Sequence, residues 1–396
     1  MMRTVEEHQL VVAGLIKARA VQDVPLNDTL GLVLAADVVA PLSLPGFDNS
    51  AMDGYAVVAD DVASASEETP VRLPVAEDIP AGRTDLLTLQ PGTAHRIMTG
   101  APLPSGATAV VPVEATDGAT DTVSIRAAAR DGQHIRRAGE DVTAGTTVLR
   151  AGQVITPAAL GLAAALGLAT LPVLPRQRVM VMSTGTELVA PGAELQPGQI
   201  YESNAVMLAA AVRDAGAQAT IAPMSADDVD AFRAALAEHA RDADLIITTG
   251  GVSAGAYEVV KDSLSDQVEF VKVAMQPGMP QGAGTVNGVP IITLPGNPVS
   301  ALVSFEVFVR SPLRAAMGHT APDRPRRTAQ LTEDLTSPRG KRQFRRGVLT
   351  GDSVSSYGPP ASHHLRWLAS ANCLLEIAED VTELAAGATV PVWDLS

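Results

Sequence analysis

Between Arg178 and Met317, short apolar runs alternate with runs of helical spacing, and this alternation constrains the fold more than any other feature of the chain. Arg178 to Met182 reads as a buried strand, Asn204 to Asp214 as a helix ended by Gly216, and Ala217 to Ala222 as a strand. Ser225-Ala-Asp-Asp228 resembles a capping box that opens a helix to about Arg241. Asp244 to Thr249 is the next strand, Glu258 to Leu264 a helix, Glu269 to Val273 and Val289 to Leu294 strands, and Pro298 to Met317 a long helix. Strands separated by helices predict a parallel sheet.

The flanking segments follow other patterns. Val5 to Arg19 has helical spacing, and Val33 to Val39 reads as a helix end followed by a strand. From Pro41 to about Gly139, short alternating runs (Val71 to Val75, Ala109 to Val113, Thr122 to Ala127) lie between Pro and Gly turns, which predicts a β-rich domain. Ala158 to Leu174 is apolar but broken by Pro172, so it predicts a buried helix running into a strand rather than a membrane span. Residues 320–396 carry short β patterns and many turn residues. The expected class is a mixed α/β multidomain chain. Its parts are an elongated helix and strand domain (1–40 with 140–175), an inserted β-rich domain (41–139), a central α/β domain with a parallel sheet (176–319), and a small C-terminal β-domain (320–396).

Composition excludes several functions. With 29 basic and 44 acidic residues the formal charge is −15, which repels nucleic acid and anionic membrane. A single cysteine, Cys373, rules out an internal disulfide and zinc sites built on several thiolates. The first ten residues include Glu6, Glu7 and His8 where a signal peptide would be apolar, so a soluble cytoplasmic protein is expected.

In an open parallel sheet, ligands bind at the carboxyl ends of the strands. Three candidate loops fall there: Gly185-Thr186-Glu187, Gly250-Gly251-Val252-Ser253-Ala254-Gly255, and Pro295-Gly296-Asn297-Pro298. Glycines let backbone N–H groups approach a phosphate closely. Neither G-x-G-x-x-G nor a Walker A string is present, so dinucleotide and ordinary P-loop readings are weak. Asp48, Asp53, Asp141, Glu187, Asp227 and Glu258 each sit beside turn residues, where carboxylates can hold Mg²⁺ with help from phosphate oxygens. Each also fits a helix cap or a solvated turn, and Asp227 fits the cap better. IRRAGED (135–141) is a dense mixed-charge turn. Arg324 to Arg346 carries eight basic residues against two acids, which suits either a solvated basic face or an oxyanion site. His95, His134, His363 and His364 lack metal-ligand spacing and read as structural or surface residues. His363 and His364 would point to opposite faces if extended.

GFDNSAMDGYA (46–56), RIMTGAPLP (96–104), IRRAGEDV (135–142), STGTEL (183–188), TTGGVSAG (248–255) and LPGNPVSA (294–301) occur in one order along the chain. With them the sequence resembles the molybdopterin molybdenumtransferase family, called MoeA in bacteria, whose eukaryotic counterparts include the gephyrin E domain. The resemblance implies an elongated homodimer of four domains, the central one like MogA and the last like a barrel. Its substrates would be adenylylated molybdopterin and molybdate; it would use Mg²⁺, release AMP and leave molybdenum on the dithiolene. A molybdopterin adenylyltransferase of the MogA or MoaB type would act upstream, and apo-molybdoenzymes or their chaperones downstream.

Carried onto this sequence, the resemblance implies that Asp53 faces the partner subunit's cleft, with Thr99, Asp141, Glu187, Asp227 and Glu258 as the other catalytic positions. Asp53, Asp141 and Glu187 would be the metal positions. Ser50, Gly250, Gly251, Ser253, Gly278 and Pro280 would bind the pterin phosphate or adenylate, Pro295, Gly296, Asn297 and Pro298 would shape the pocket floor, and Arg346 with Ser362 or Ser370 would lie near molybdate. Two departures stand out. Where the family reads K-P-G-K-P, this chain reads Gln276-Pro277-Gly278-Met279-Pro280, so both lysines are gone. Where it commonly has Asp after GGVSAG, this chain has Glu258. An oxyanion site without two cations should bind more weakly, and a paralogue that binds a molybdopterin species with little or no insertion is the alternative. Arg345 or Lys341 are the candidate replacements for the lost charge.

Overall fold

The computed structural model describes residues 2–224, 228–251 and 259–396. It divides into two compact units, one of residues 1–24, 31–35 and 172–396, the other of residues 25–30 and 36–171. In the first, six strands form one sheet: β1 (Arg178–Ser183), β2 (Gln218–Ile221), β3 (Leu245–Thr249), β4 (Val268–Lys272), β5 (Pro280–Val286) and β6 (Val289–Leu294), in the order β2-β1-β3-β6-β5-β4. β2, β1, β3 and β6 run parallel. β5 runs against both β6 and β4, a strand that the alternation of strands and helices does not predict. The signal for it is Asn287-Gly288. Val286 pairs with Val289 across these two residues, whose φ angles of 51° and 83° suit the tight hairpin turn that Asn-Gly favours. Pro280, Gly282 and Gly284 mask the strand by propensity.

β3 is buried at every residue, as expected of a strand covered on both faces. Alternate side chains enter two cores: Val179, Val181, Leu245 and Ile247 pack with Leu208, Val303 and Phe308, while Met180, Met182 and Ile246 pack with Phe232, Leu236 and Val260. The helix Asn204–Asp214 supplies the first face and Val229–His239 the second. The cap of Val229–His239 is Asp228, whose Oδ1 accepts from Ala231 N–H at 2.8 Å; Ser225 to Asp227 lie outside the described residues. The long helix expected from Pro298 to Met317 has three parts: α-helical Pro298–Ser304, a π turn at Phe305–Val309, and α-helical Arg310–Ala316. Pro312 has no N–H to offer the carbonyl of Phe308, and the helix widens in the turn before it.

The N-terminal helix Val5–Leu15 starts at a capping box between Thr4 and Glu7 and buries Val5 and Val12 in the core that holds Val181. Val33–Leu34 and Val38–Val39 are both short strands, and the helical segment before them is a single 3₁₀ turn, Leu26–Asp28, rather than a helix end at Val33. The strands Arg326–Leu331, Arg342–Thr350, Ser353–Ser356, Cys373–Ile377 and Thr389–Asp394 close on themselves, because Arg342–Thr350 pairs with both Ser353–Ser356 and Cys373–Ile377. Met275–Gln276 joins the rim of this barrel by pairing with Arg342 and Gln343.

The second unit holds a five-stranded sheet of Gly54–Val57, Val71–Ile79, Ala94–Ile97, Ala109–Pro112 and Thr122–Ile125. Gly54 lies between two neighbours there, and a Cβ at this position would stand 2.0 Å from the Val111 carbonyl oxygen. The apolar run after Ala158 is a helix, Pro157–Ala165, followed by the strand Thr170–Leu174. Among the described residues, no helix is long and apolar enough to cross a membrane.

Candidate functional site

Three strand ends meet at the carboxyl edge of the six-stranded sheet. Thr184 N–H donates to Thr249 carbonyl at 3.1 Å, and Gly250 N–H donates to Leu294 carbonyl at 3.3 Å. A Cβ on Gly250 would lie 2.7 Å from the Thr184 carbonyl oxygen, and its φ of +88° is one that only glycine adopts freely. A Cβ on Gly296 would meet the Gly250 Cα at 3.4 Å. Glycine is thus the condition for the loops after β1, β3 and β6 to lie together.

They open onto a cleft of about 1050 Å³. Glu187, Gly250, Gly251, Gly278, Pro280, Pro295, Gly296, Asn297, Pro298 and Ser362 all line it. Asn297 Nδ2 donates to Ser362 Oγ at 3.0 Å, and Val299 N–H donates to the Ser362 carbonyl at 3.1 Å, so the segment carrying Ser362 is fastened to the start of the helix Pro298–Ser304. Ser370, exposed at the end of the helix Leu365–Ala369, is not among the lining residues. Ser253, Glu258 and Asp227 lie outside the described residues.

Sequence reasoning missed several residues here. Glu202 lines the cleft yet is only 6% exposed; its Oε1 accepts from Ser183 Oγ at 2.8 Å and from Ala205 N–H at 2.7 Å, at the start of the helix Asn204–Asp214. Ser183 Oγ also lies 3.0 Å from Thr249 Oγ1, so hydroxyls tie β1 to β3 beneath the loops. Asn204 Nδ2 reaches the Gly296 carbonyl at 2.6 Å. The position of Glu202, an acid just before a helix cap and after a strand end, was its one visible signal. His363 lines the cleft too, although its sequence context reads as structural or surface. The chain there is not extended: the His363 and His364 rings meet edge to face, 4.4 Å apart.

The wall at Gln276–Pro280 is held by buried amides. Gln281 Nε2 donates to the Gly278 carbonyl at 2.6 Å and to Ser304 Oγ at 2.7 Å, and Gln343 Nε2 donates to Gln276 Oε1 at 3.0 Å. Arg346 does not present a free fork. It is 3% exposed, Nη1 donates to the Ala361 and His364 carbonyls at 3.3 and 3.0 Å, and Nη2 donates to Pro359 carbonyl. It holds the loop that carries Ser362. Arg345 Nε donates to Ser356 Oγ at 2.6 Å, and neither it nor Lys341 lines the cleft. No Lys or Arg is among the described lining residues, and residues 225–227 (SAD) and 252–258 (VSAGAYE) contain none in sequence. Among the described lining residues, the acidic side chains are those of Glu187 and Glu202.

In the other unit, Asp53 Oδ1 accepts from Thr99 N–H at 2.6 Å and from Thr99 Oγ1 at 2.7 Å, the backbone bond first and the hydroxyl second holding its carboxyl below the usual range. Asp48 accepts from Ala138 N–H at 2.8 Å and from Arg137 at 2.6 Å, so GFDNSAMDGY finds its basic partner in IRRAGED. Ser50 Oγ donates to Met52 carbonyl at 2.5 Å and is fully buried, which makes it part of the loop's own frame. Asp141 is exposed, its N–H bonded to Leu44 carbonyl. Among the described residues no group of three His, Cys, Asp or Glu could hold a metal ion. Mg²⁺ needs only one or two carboxylates when phosphates supply the rest, and Glu187 in the cleft fits that pattern.

Three family models match in succession: the MoeA N-terminal region (domains I and II) at residues 3–167, a probable molybdopterin binding domain at 180–315, and the MoeA C-terminal region (domain IV) at 328–395. Molybdopterin molybdenumtransferase 2 of Mycobacterium tuberculosis is 68% identical over 405 residues, covering all of both chains. The chain belongs to the molybdopterin molybdenumtransferase family. Within that family, the enzyme of Bacillus subtilis is 35% identical over 93% of this chain and 88% of its own. A crystal structure of the molybdopterin biosynthesis MoeA protein from Pyrococcus horikoshii superposes with a TM-score of 0.83 at 30% identity, covering both chains fully. The fold is that of the molybdopterin molybdenumtransferases, a MogA-like α/β domain with β-rich parts and a barrel-like C-terminal domain, and family membership places the chain in molybdenum cofactor biosynthesis.

Proposed function

We propose that this protein inserts molybdenum from molybdate into adenylylated molybdopterin in a Mg²⁺-dependent reaction that releases AMP. The observation that carries the reading is the convergence of three glycine-bearing loops on one cleft, with Gly250 packed against the Thr184 carbonyl. Such an edge offers backbone groups to phosphate oxygens. Gly250, Gly251 and Gly278 would let the substrate's phosphates approach the backbone, and Pro295 to Pro298 with Ser362 would form the floor. Glu187 would hold Mg²⁺, which would supply charge neutralisation at the pyrophosphate. Asp53, set in place by Thr99, and Asp141 are proposed to serve the same reaction in a homodimer. Arg346 would act through the loop it fastens. The proposed partners are a molybdopterin adenylyltransferase upstream and apo-molybdoenzymes or their chaperones downstream, in the cytoplasm. The proposal keeps the four-part division at residues 41, 140, 176 and 320.

A second reading has its own observation. The cleft has no lining cation among the described residues. A paralogue that holds a molybdopterin species and inserts metal slowly or not at all would look like this. Purified protein is mixed with Mg²⁺, adenylylated molybdopterin and graded molybdate, and AMP release is followed together with activation of an apo-molybdoenzyme. AMP release that saturates with molybdate and activates the acceptor supports insertion. Tight pterin binding with no AMP at any molybdate concentration supports the paralogue.

A further inference from the structure

Among the described residues that line the cleft, the side chains with acid–base groups are those of Glu187, Tyr201, Glu202 and His363. Residues 225–227 (SAD) and 252–258 (VSAGAYE) add no second imidazole in sequence. Glu202 is 6% exposed, and its Oε1 already accepts from Ser183 and Ala205. The Tyr201 hydroxyl donates to the Ala193 carbonyl at 2.8 Å. Glu187 is the carboxylate assigned above to Mg²⁺. His363 remains, and it is exposed. Its loop is fastened on both sides. Ser362 is held by Asn297 and Val299, Arg346 donates to the Ala361 and His364 carbonyls, and the His363 carbonyl accepts from Leu365 N–H at 3.0 Å. The His364 ring meets the His363 ring edge to face at 4.4 Å. Pro360 in the same loop borders a small cavity with Gln276 and Pro277, so the loop runs from that wall to the floor at Asn297.

On the function proposed above, we infer that His363 is the proton carrier of the insertion step. It takes a proton from a dithiolene thiol and gives it to the molybdate oxygen that departs. The step balances without an oxidant or a reductant. Two S–H bonds and one Mo–O bond break, and two Mo–S bonds form. One oxygen of molybdate leaves with both protons as water, and molybdenum keeps its oxidation state. A neutral imidazole accepts at one nitrogen, passes a proton to the oxygen and is neutral again for the second transfer. Imidazole is the side chain suited to both halves of that exchange near neutral pH. An arginine at this position would hold an oxyanion but keep its proton.

The test uses the full chain with Mg²⁺, adenylylated molybdopterin and molybdate. AMP release, activation of an apo-molybdoenzyme and equilibrium binding of each ligand are measured for the unmodified protein, His363→Gln, His363→Gly and His364→Phe. His363→Gln keeps a hydrogen-bonding group that cannot exchange a proton, so activation should slow about 100-fold while both ligands bind as before. Imidazole added to His363→Gly should restore part of the rate, which a folding defect would not allow. His364→Phe keeps the edge-to-face contact and should keep most of the rate. Unchanged activation by His363→Gln would overturn the inference, and so would a fall matched by an equal loss of affinity. A His363→Gly variant that imidazole leaves inactive would also overturn it. Slowing of His364→Phe as large as that of His363→Gln would overturn the assignment to His363. An unmodified protein that neither releases AMP nor activates the acceptor would refute the insertion reading and this inference with it. An active unmodified protein beside an unimpaired His363→Gln would refute this inference alone.

Discussion

The segment Arg324 to Arg346 carries eight cations, while the cleft in the same unit is lined by none among the described residues. Six of its seven arginines are engaged elsewhere, and Arg339 is exposed. Arg324 pairs with Glu306 and Asp214, Arg327 with Asp394, Arg342 with Glu6 and Glu379, and Arg326 lies over Trp393, 4.1 Å from its ring centre. Arg345 and Arg346 donate to a hydroxyl and to carbonyls. A density of charge in sequence is therefore not a charged site. The acids that neutralise this segment are spread along the chain from Glu6 to Asp394, and no arginine stands beside the two carboxylates among the described residues that line the cleft.

The comparison breaks most readily at Arg324. Glu306 is 5% exposed and depends on Arg324 at 3.0 Å, with Arg310 farther off at 3.8 Å. Arg324→Met should cost on the order of 3 kcal/mol in chemical denaturation, because one partner of a buried pair is removed, while ligand affinity at the cleft is retained. A loss of affinity with no loss of stability would show that this basic segment serves the site after all. Arg346→Met should cost about 2 kcal/mol by the same measurement, since three carbonyls lose a charged donor. It should also lower AMP release, because the loop that positions Ser362 is released; unchanged release would remove Arg346 from any account of the cleft. Met279→Lys is the smallest change and sharpens the contrast. Adding one cation to a cleft with no Lys or Arg among its described lining residues should tighten molybdate about tenfold at low salt, with the gain shrinking as ionic strength rises. A salt-independent gain would point to packing rather than charge.

Much of this was legible in advance. Four parallel strands, their helices and the three glycine-bearing loops follow from periodicity and from local punctuation, which depend on residues a few positions apart. β5 was readable from Asn287-Gly288 but was hidden by its proline and glycines. The helix Pro298 to Met317 was right in extent, while its π turn needed attention to Pro312. At the site, Glu187, Gly250, Gly251 and Asn297 stand out in the sequence beside strand ends, and all four line the cleft. Glu202 carries no such signal, because in sequence an acid before a helix cap looks like any other cap.

The sequence alone determined the four parallel strands with their helices and the glycine-bearing loops that follow them, because these rest on short-range sterics and hydrogen bonding. Tertiary structure alone decided which charges are paired, that Glu202 borders the cleft, and that Gln276 meets Gln343. Those outcomes depend on partners such as Glu306 for Arg324, Ser183 for Glu202 and Gln343 for Gln276, the last 67 residues away in the chain. Long-range pairing of polar groups carries no periodic signature, so it becomes visible only once the fold has brought the partners together.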